Sequence, residues 1–394
     1  MAADQCREAA DATAEDFSEN RNPKGLPDMK RHLAAAIGAA LGLVLAAPAY
    51  ADVIIAAAGP MTGENAVFGN QIRAGVEQAV EDINAAGGVN GEKLVLKVGD
   101  DACDPKQAVN VANQLAGDGA KLVVGHYCSG SSIPASAVYA EEGVIEISPA
   151  STNPVFTDKR PGPTIYRVCG RDDQQGAIAG KYLLENYKDK KVAVIHDKSS
   201  YGKGLADETL KTFQAGGAKE ALYDTITPSE KDYSALVSKL KQANVDAVYF
   251  GGYYQQAALL VRQMRDQGLQ AKLMGGDALQ SNEFLGITGK GGEGVMFTFP
   301  PDQTKLPSAA AVVDKFKAKK VAPEGFTLYS YAAVQIWAKA ATDAKSTEGE
   351  AVSAEMNKQS FNTIVGDVKF DAKGDPTVAG FVFYEFKNGA YSQL

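Results

Sequence analysis

From Val53 to Gly275 the sequence alternates short apolar runs with amphipathic stretches, and no other feature restricts its fold as much. "VIIAAAG" (53–59) reads as a buried strand and is followed by the turn-rich "PMTGENAVFG". In "NQIRAGVEQAVEDINAAGG", Ile72, Val76, Ala79, Val80 and Ile83 recur at helical spacing, and Gly87-Gly88 ends the helix. The order repeats with a strand at 93–99, a helix at 105–117 opening on Pro105, a strand at 121–126, a helix at 131–142 and a strand at 144–148. A second series begins near Asp172, with helices at 173–187, 202–215, 232–243 and 255–268 and strands at 191–196, 219–226, 246–251 and 271–275. Such alternation predicts parallel sheets with helices on both faces, and two series predict two doubly wound α/β lobes.

The chain beyond Gly275 is too short for a third lobe. A strand at 293–299 is punctuated by "PPDQ"; helices near 308–320, 327–344 and 349–358 and strands at 367–370 and 380–386 remain. These are expected to return to the lobes already begun. The first lobe would hold 52–171 and 301–378, the second 172–300 and 379–394. Several crossings between lobes make a hinge, and a cleft beside a hinge is where ligands bind.

The first 51 residues differ in kind. "MKRHLAAAIGAALGLVLAAPAYAD", from Met29, has Lys30 and Arg31, then an apolar run from Leu33 to Ala47, then Ala49-Tyr50-Ala51 as a cleavage signal. The run falls short of the ~20 residues of a membrane-spanning helix. Residues 29–51 therefore read as a signal peptide cleaved after Ala51, with 1–28 a non-native extension ahead of it. No cysteine follows the cleavage point, so a lipid anchor is not expected. Residues 1–51 carry five Lys/Arg and seven Asp/Glu, which leaves 35 basic and 41 acidic residues in the mature chain. Nothing in that balance attracts nucleic acid or anionic lipid. Of four cysteines, Cys6 precedes the mature chain. Export permits a disulfide among Cys103, Cys128 and Cys169, and the odd count leaves one thiol over. Cys103 and Cys128 both follow predicted strands expected to be neighbours in one sheet.

Few motifs suggest reaction chemistry. "GKGGEG" (289–294) fits a dinucleotide fingerprint in letters only, since it precedes a strand and opens no helix. No cofactor and no metal ligand set is expected. "HYCSGSS" (126–132) stands where a strand runs into a helix. One reading makes Ser129 a hydrolase nucleophile, which would need an oriented base within reach. The other makes the segment an anion grip: a helix start offers unpaired N–H groups and partial positive charge, and the serines add hydroxyls. A helix cap is the plainer role for Ser131 or Ser132.

"ISPASTNP" (147–154) follows the adjacent strand and brings Ser151 and Thr152; the second lobe offers Tyr201, Tyr253 and Asp277 at its own strand ends. Ligands meet such sheets at the carboxyl ends of strands. Hydroxyls, two tyrosines and one carboxylate across a hinge suit a small molecule bearing both charges, and a free amino acid is the simplest. The only tryptophan, Trp337, falls inside an amphipathic helix, where a core role is expected rather than sugar stacking.

"GDDACDPKQAVNVANQL", "VVGHYCSGSSIPAS", "ISPASTNP", "HDKSSYGKGLA" and "FGGY" together resemble the periplasmic leucine/isoleucine/valine-binding proteins of ABC importers, over about 52–394. The resemblance implies a type I periplasmic binding protein: two lobes joined by three crossovers close on an amino acid and present it to an inner-membrane permease. It further implies that Ser129 and Thr152 hold the carboxylate, and that the Ala150 carbonyl, Thr152 hydroxyl and Asp277 hold the ammonium. Ser151 belongs to the same segment, Tyr201 and Tyr253 contribute from the second lobe, and Phe68 helps line the side-chain pocket. Cys103–Cys128 is the implied disulfide. Two positions depart from the pattern, with Asp277 in place of Glu and Phe68 in place of Tyr, and both bear on which ligand is held. A monomeric periplasmic protein that is no enzyme follows from the resemblance. Within the same fold, another amino acid, an amide, a small organic acid or a chemoreception role are the alternatives.

Overall fold

A computed structural model describes residues 52–377 and 380–394; the signal-peptide reading, the 1–28 extension and Cys6 lie outside the described residues. The first series forms β1 (Val53–Gly59), α1 (Ala66–Ala85), β2 (Leu94–Asp100), α2 (Pro105–Gly117), β3 (Leu122–Val124), α3 (Ser129–Glu141), β4 (Ile145–Ser148), α4 (Val155–Asp158) and β5 (Ile165–Arg167). Its strands build a parallel sheet in the order β2-β1-β3-β4-β5. Ile55 and Ala57 join one apolar cluster and Ala56 and Ala58 another, so β1 is buried on both faces, as a sheet between two helical layers requires.

The second series forms α5 (Asp172–Tyr187), β6 (Val192–His196), α6 (Ser200–Ala215), β7 (Leu222–Thr225), α7 (Ser234–Gln242), β8 (Ala247–Gly251), α8 (Tyr254–Asp266), β9 (Lys272–Gly275), α9 (Glu283–Thr288) and β10 (Met296–Phe299). The remainder supplies α10 (Ala310–Ala318), α11 (Thr327–Ala344), α12 (Gly349–Lys358), β11 (Ser360–Thr363), β12 (Gly366–Lys369), β13 (Val382–Lys387) and β14 (Ala390–Gln393). The second sheet runs β14-β13-β10-β9-β8-β6-β7, with β13 and β14 antiparallel at one edge.

Local chemistry sets these elements. Asp104 caps α2 by accepting from the N–H groups of Lys106 and Gln107 at 2.9 and 2.8 Å, with Pro105 in the first turn. Ser199 caps α6 through the Gly202 N–H at 2.8 Å. Helix α11 packs on α1 so closely that a Cβ on Gly75 would lie 2.2 Å from the Thr327 carbonyl oxygen. Trp337 is wholly buried within α11, and "GKGGEG" begins with a short 3-10 helix, Gly289–Gly292, ahead of β10.

Several sequence expectations shift. Helix α1 begins at Ala66, inside the stretch read as a turn-rich loop, and α3 begins at Ser129 instead of 131. Strand β5 has no counterpart in the sequence reading: three residues between Pro163 and Gly170 are too short to show a period. β2 and β3 are not neighbours, since β1 lies between them. Cys103 nevertheless bonds Cys128, because a turn with Ala102 at φ 46° and Cys103 at φ 58° folds back over the end of β1. The 367–370 strand adds to neither large sheet; it pairs with β11 in a hairpin against α11.

Candidate functional site

The site grows from strand ends. After β3 the chain places Tyr127 and Cys128, then enters α3 at Ser129. The Ser131 and Ser132 N–H groups donate to the Cys128 carbonyl at 2.8 and 3.0 Å, which leaves those of Ser129 and Gly130 without an intrahelical partner. Ser132 and Ser151 are consumed internally: their hydroxyls share a hydrogen bond at 2.6 Å, and each oxygen lies 3.2 Å from the His126 carbonyl oxygen. The Ser129 hydroxyl accepts from the Asn153 N–H at 3.3 Å.

His126 is held elsewhere. Its Nδ1 lies 2.5 Å from Asp101 Oδ2 and its Nε2 lies 3.0 Å from the Tyr139 hydroxyl, all buried. Both ring nitrogens are engaged, so His126 offers Ser129 no base. Asp101 Oδ1 also accepts from the Cys103 N–H at 2.8 Å, fixing the turn that carries the disulfide, whose Cα atoms stand 5.6 Å apart.

Tyr127, Ser129 and Ala150 from the first lobe face Tyr201, Tyr253, Asp277 and Ala278 from the second across a narrow cavity of about 10 Å³. Of the sequence-derived candidates, five therefore meet at one wall or the other. Ser151, Thr152 and Phe68 do not line it. Phe68 stands one ring behind, stacked on Tyr127 at 4.4 Å between centroids, because α1 starts early enough to carry it into the core. Thr152 is buried beside the lining, its hydroxyl without a partner among the described residues.

Asp277 follows β9 after Gly275 and Gly276 and is almost fully buried. Its Oδ1 accepts from the Tyr201 hydroxyl at 2.7 Å and from Gln175 Nε2 at 3.2 Å. Burial pushes its carboxyl up to about 6, against the downward pull of those two hydrogen bonds. An ammonium placed against it would restore full ionisation.

Two residues that sequence reasoning passes over belong here. Tyr127 sits within the quoted "HYCSGSS", yet attention falls on the histidine, cysteine and serines; its buried hydroxyl has no partner among the described residues. Asp172 begins α5, where an acid reads as ordinary helix-start chemistry. It is fully buried, and neither carboxylate oxygen has a partner among the described residues. Burial and then the nearby Asp277 charge raise its carboxyl well above the usual range. Nothing in the sequence distinguishes it from the half-buried Asp173.

A larger hollow of about 360 Å³ lies near Gln303, Glu324 and Tyr391; it does not gather strand ends from both sheets. Among the described residues no group of His, Cys, Asp or Glu is arranged to hold a metal ion. No helix among them is long and apolar enough to cross a membrane.

Comparison with known proteins gives one answer along the chain. The periplasmic binding protein family matches residues 52–390. The chain belongs to that family. This binding protein is 48% identical over 363 residues to the Leu/Ile/Val-binding protein homolog 1 of Brucella suis, covering 92% of this chain and 98% of that one. It is 48% identical over 367 residues to an amino acid binding protein of Pseudomonas aeruginosa, covering 92% and 97%. Among solved structures, a leucine binding protein from Thermotoga maritima superposes with a TM-score of 0.79 at 27% identity, covering 87% of this chain and 97% of that one. A branched-chain amino acid transporter substrate binding protein from Streptococcus pneumoniae, in complex with isoleucine, gives 0.79 at 26% identity, covering 87% and 99%. The fold is that of a type I periplasmic binding protein.

Proposed function

We propose that this protein is an exported solute-binding protein that captures a free amino acid of the branched-chain class between its lobes and delivers it to an ABC permease. The observation that carries the reading is the pairing of opposite chemistries across one small cavity. Ser129, at a helix start with free N–H groups, faces it from one lobe, and the buried Asp277 faces it from the other. A zwitterion matches both: the carboxylate takes the N–H and hydroxyl donors, the ammonium takes Asp277 and the Ala150 carbonyl. Charge-assisted hydrogen bonds are roughly twice as strong as neutral ones, so a closed, dry cleft holds such a ligand firmly.

Thr152, beside the wall, extends the carboxylate grip. Tyr201 orients Asp277, and Tyr253 and Tyr127 shape the side-chain space with Phe68 behind them. The protein performs no chemistry on its ligand, in keeping with the engagement of both His126 nitrogens. Leucine, isoleucine or valine is supported by the Brucella relative's name and by the isoleucine in the Streptococcus structure. The lobes comprise 52–171 with 301–378 and 172–300 with 379–394. Residues 29–51 direct export to the periplasm and are removed, 1–28 are an extension ahead of the native start, and the mature protein works as a monomer.

Titration calorimetry with L-leucine, L-isoleucine and L-valine should give one site per chain, and absence of heat with all three would refute the branched-chain assignment. Asp277→Asn should fold and bind at least tenfold more weakly. N-terminal sequencing of exported protein should begin at Asp52.

A further inference from the structure

Arg167, the last residue of β5, is fully buried, which is costly for a cation unless it is paired and hydrogen-bonded. Nη1 donates to the Ser151 carbonyl at 2.6 Å, and Nη2 donates to the Asn153 carbonyl at 3.0 Å and to Thr157 Oγ1 at 2.7 Å. The carbonyl between these two, that of Thr152, accepts from the Asp172 N–H at 2.8 Å. Three consecutive carbonyls are thus committed to groups of the chain. The residue before them, Ala150, lines the cavity.

A trans peptide sends its C=O and its N–H in opposite directions. These peptides are trans, so anchoring the Ser151 carbonyl on Arg167 turns the Thr152 N–H away from the guanidinium. The Asn153 N–H is likewise aimed at Ser129 Oγ. The guanidinium reaches the two carbonyls from two separate nitrogens in a rigid plane, whereas the three donors of a lysine ammonium share one nitrogen.

Arg167 is itself fixed from the hinge. Its Nε forms an ion pair at 2.7 Å, outside hydrogen-bond geometry, with Oδ1 of Asp375, a buried residue in the chain segment that crosses between β12 and β13. Asp375 Oδ1 also accepts from Thr157 Oγ1 at 2.7 Å, and Oδ2 accepts from Nη1 of Arg171 at 2.7 Å. Arg171 lies in another crossing, between β5 and α5.

We propose that Arg167 is a positioning residue for Ala150–Asn153, and that Asp375 holds it in place, so that the grip of this segment on a ligand is set by two hinge crossings. The consequence for ligand rests on the reading of the cleft as an amino-acid site; the positioning itself does not.

Ligand-free protein tests the positioning. In Arg167→Lys, hydrogen exchange at the amides of Ala150, Ser151 and Asn153 should rise at least tenfold while that of β1 and β6 is unchanged. Protection equal to the wild type would overturn the proposal. Calorimetry with L-leucine and leucinamide tests the consequence. Leucine affinity should fall at least tenfold and the leucine-to-leucinamide ratio should fall with it, because the amide lacks the anion that the segment orients. Proportional weakening of both would mark general loosening and would also overturn the proposal. Asp375→Asn keeps the guanidinium and should move both readouts in the same direction by a smaller factor, which covers failure of Arg167→Lys to fold. Wild-type protein that binds neither compound would sink the amino-acid reading, and the exchange experiment would still decide the role of Arg167.

Discussion

Asp277 carries opposite obligations in the free and bound protein. A carboxyl whose pKa is higher folded than unfolded stabilises the fold fully below its unfolded value, near 3.8, and loses that contribution as pH rises through about 6. The shift corresponds to roughly 3 kcal/mol at most. Ligand affinity should run the other way, because only the ionised carboxylate pairs with an ammonium. We expect ligand-free wild type to lose melting temperature relative to Asp277→Asn between pH 4 and 6, while leucine affinity grows over the same interval. Parallel melting curves for the two proteins would contradict this. Asp172 behaves differently: burial and the nearby Asp277 charge favour its neutral form, which Asp172→Asn mimics. It should cost leucine affinity no more than a few-fold at pH 7, far less than Asp277→Asn, by calorimetry. The contrast also explains which site residues are readable from sequence. Ser129, Ala150, Tyr201, Tyr253 and Asp277 each follow an apolar run at a strand end, where the general rule for open α/β sheets places ligands. Asp172 follows no such run, and only burial separates it from Asp173. Family resemblance alone places Phe68 at the wall; the early start of α1 puts it behind Tyr127.

At the scale of elements, the β3–α3 junction depends on the disulfide. Cys103 and Cys128 are 25 residues apart in sequence, and closing a loop of that length is worth about 3 kcal/mol in chain-entropy terms. Replacing both by serine should lower the melting temperature by several degrees. It should also weaken leucine binding, since Cys128 adjoins Ser129; an unchanged affinity would show that Asp101 and His126 hold the junction unaided. Long elements with a clear period, such as α11 over Thr327–Ala344, are legible residue for residue. Short ones are not. β5 and α4 span three and four residues, too few for either period to show, and are fixed by pairing with β4 and packing on α3. The disulfide shows the same limit: strand order, which sequence pattern does not specify, puts β1 between the two strands that lead to it.

For the whole molecule, the lobes are held together by specific contacts beside the cavity. Glu64, in the loop after β1, pairs with Lys231, accepts from Gln256 Nε2 at 2.6 Å, and offers its carbonyl to Gln255 Nε2 at 2.8 Å and the Tyr254 hydroxyl at 3.2 Å. Asn153 Nδ2 reaches the Ser200 carbonyl at 2.6 Å. Exposed ion pairs contribute little singly, but a set that ties one lobe to the other favours the closed arrangement over an open one. Glu64→Ala should therefore enlarge the radius of gyration of ligand-free protein in small-angle scattering and weaken leucine binding, with saturating leucine restoring the compact form. An unchanged ligand-free profile would show that these contacts do not set closure. The central claim is that the cleft holds a zwitterion by both of its charges. It is tested most directly by calorimetry of purified, ligand-stripped protein against the twenty L-amino acids together with leucinamide and isovaleric acid, which lack the carboxylate and the ammonium in turn. One-to-one binding of branched-chain amino acids, with each single-charge analogue at least a hundredfold weaker, is the expected result. Tight binding of either analogue, or no binding of any amino acid, would contradict it.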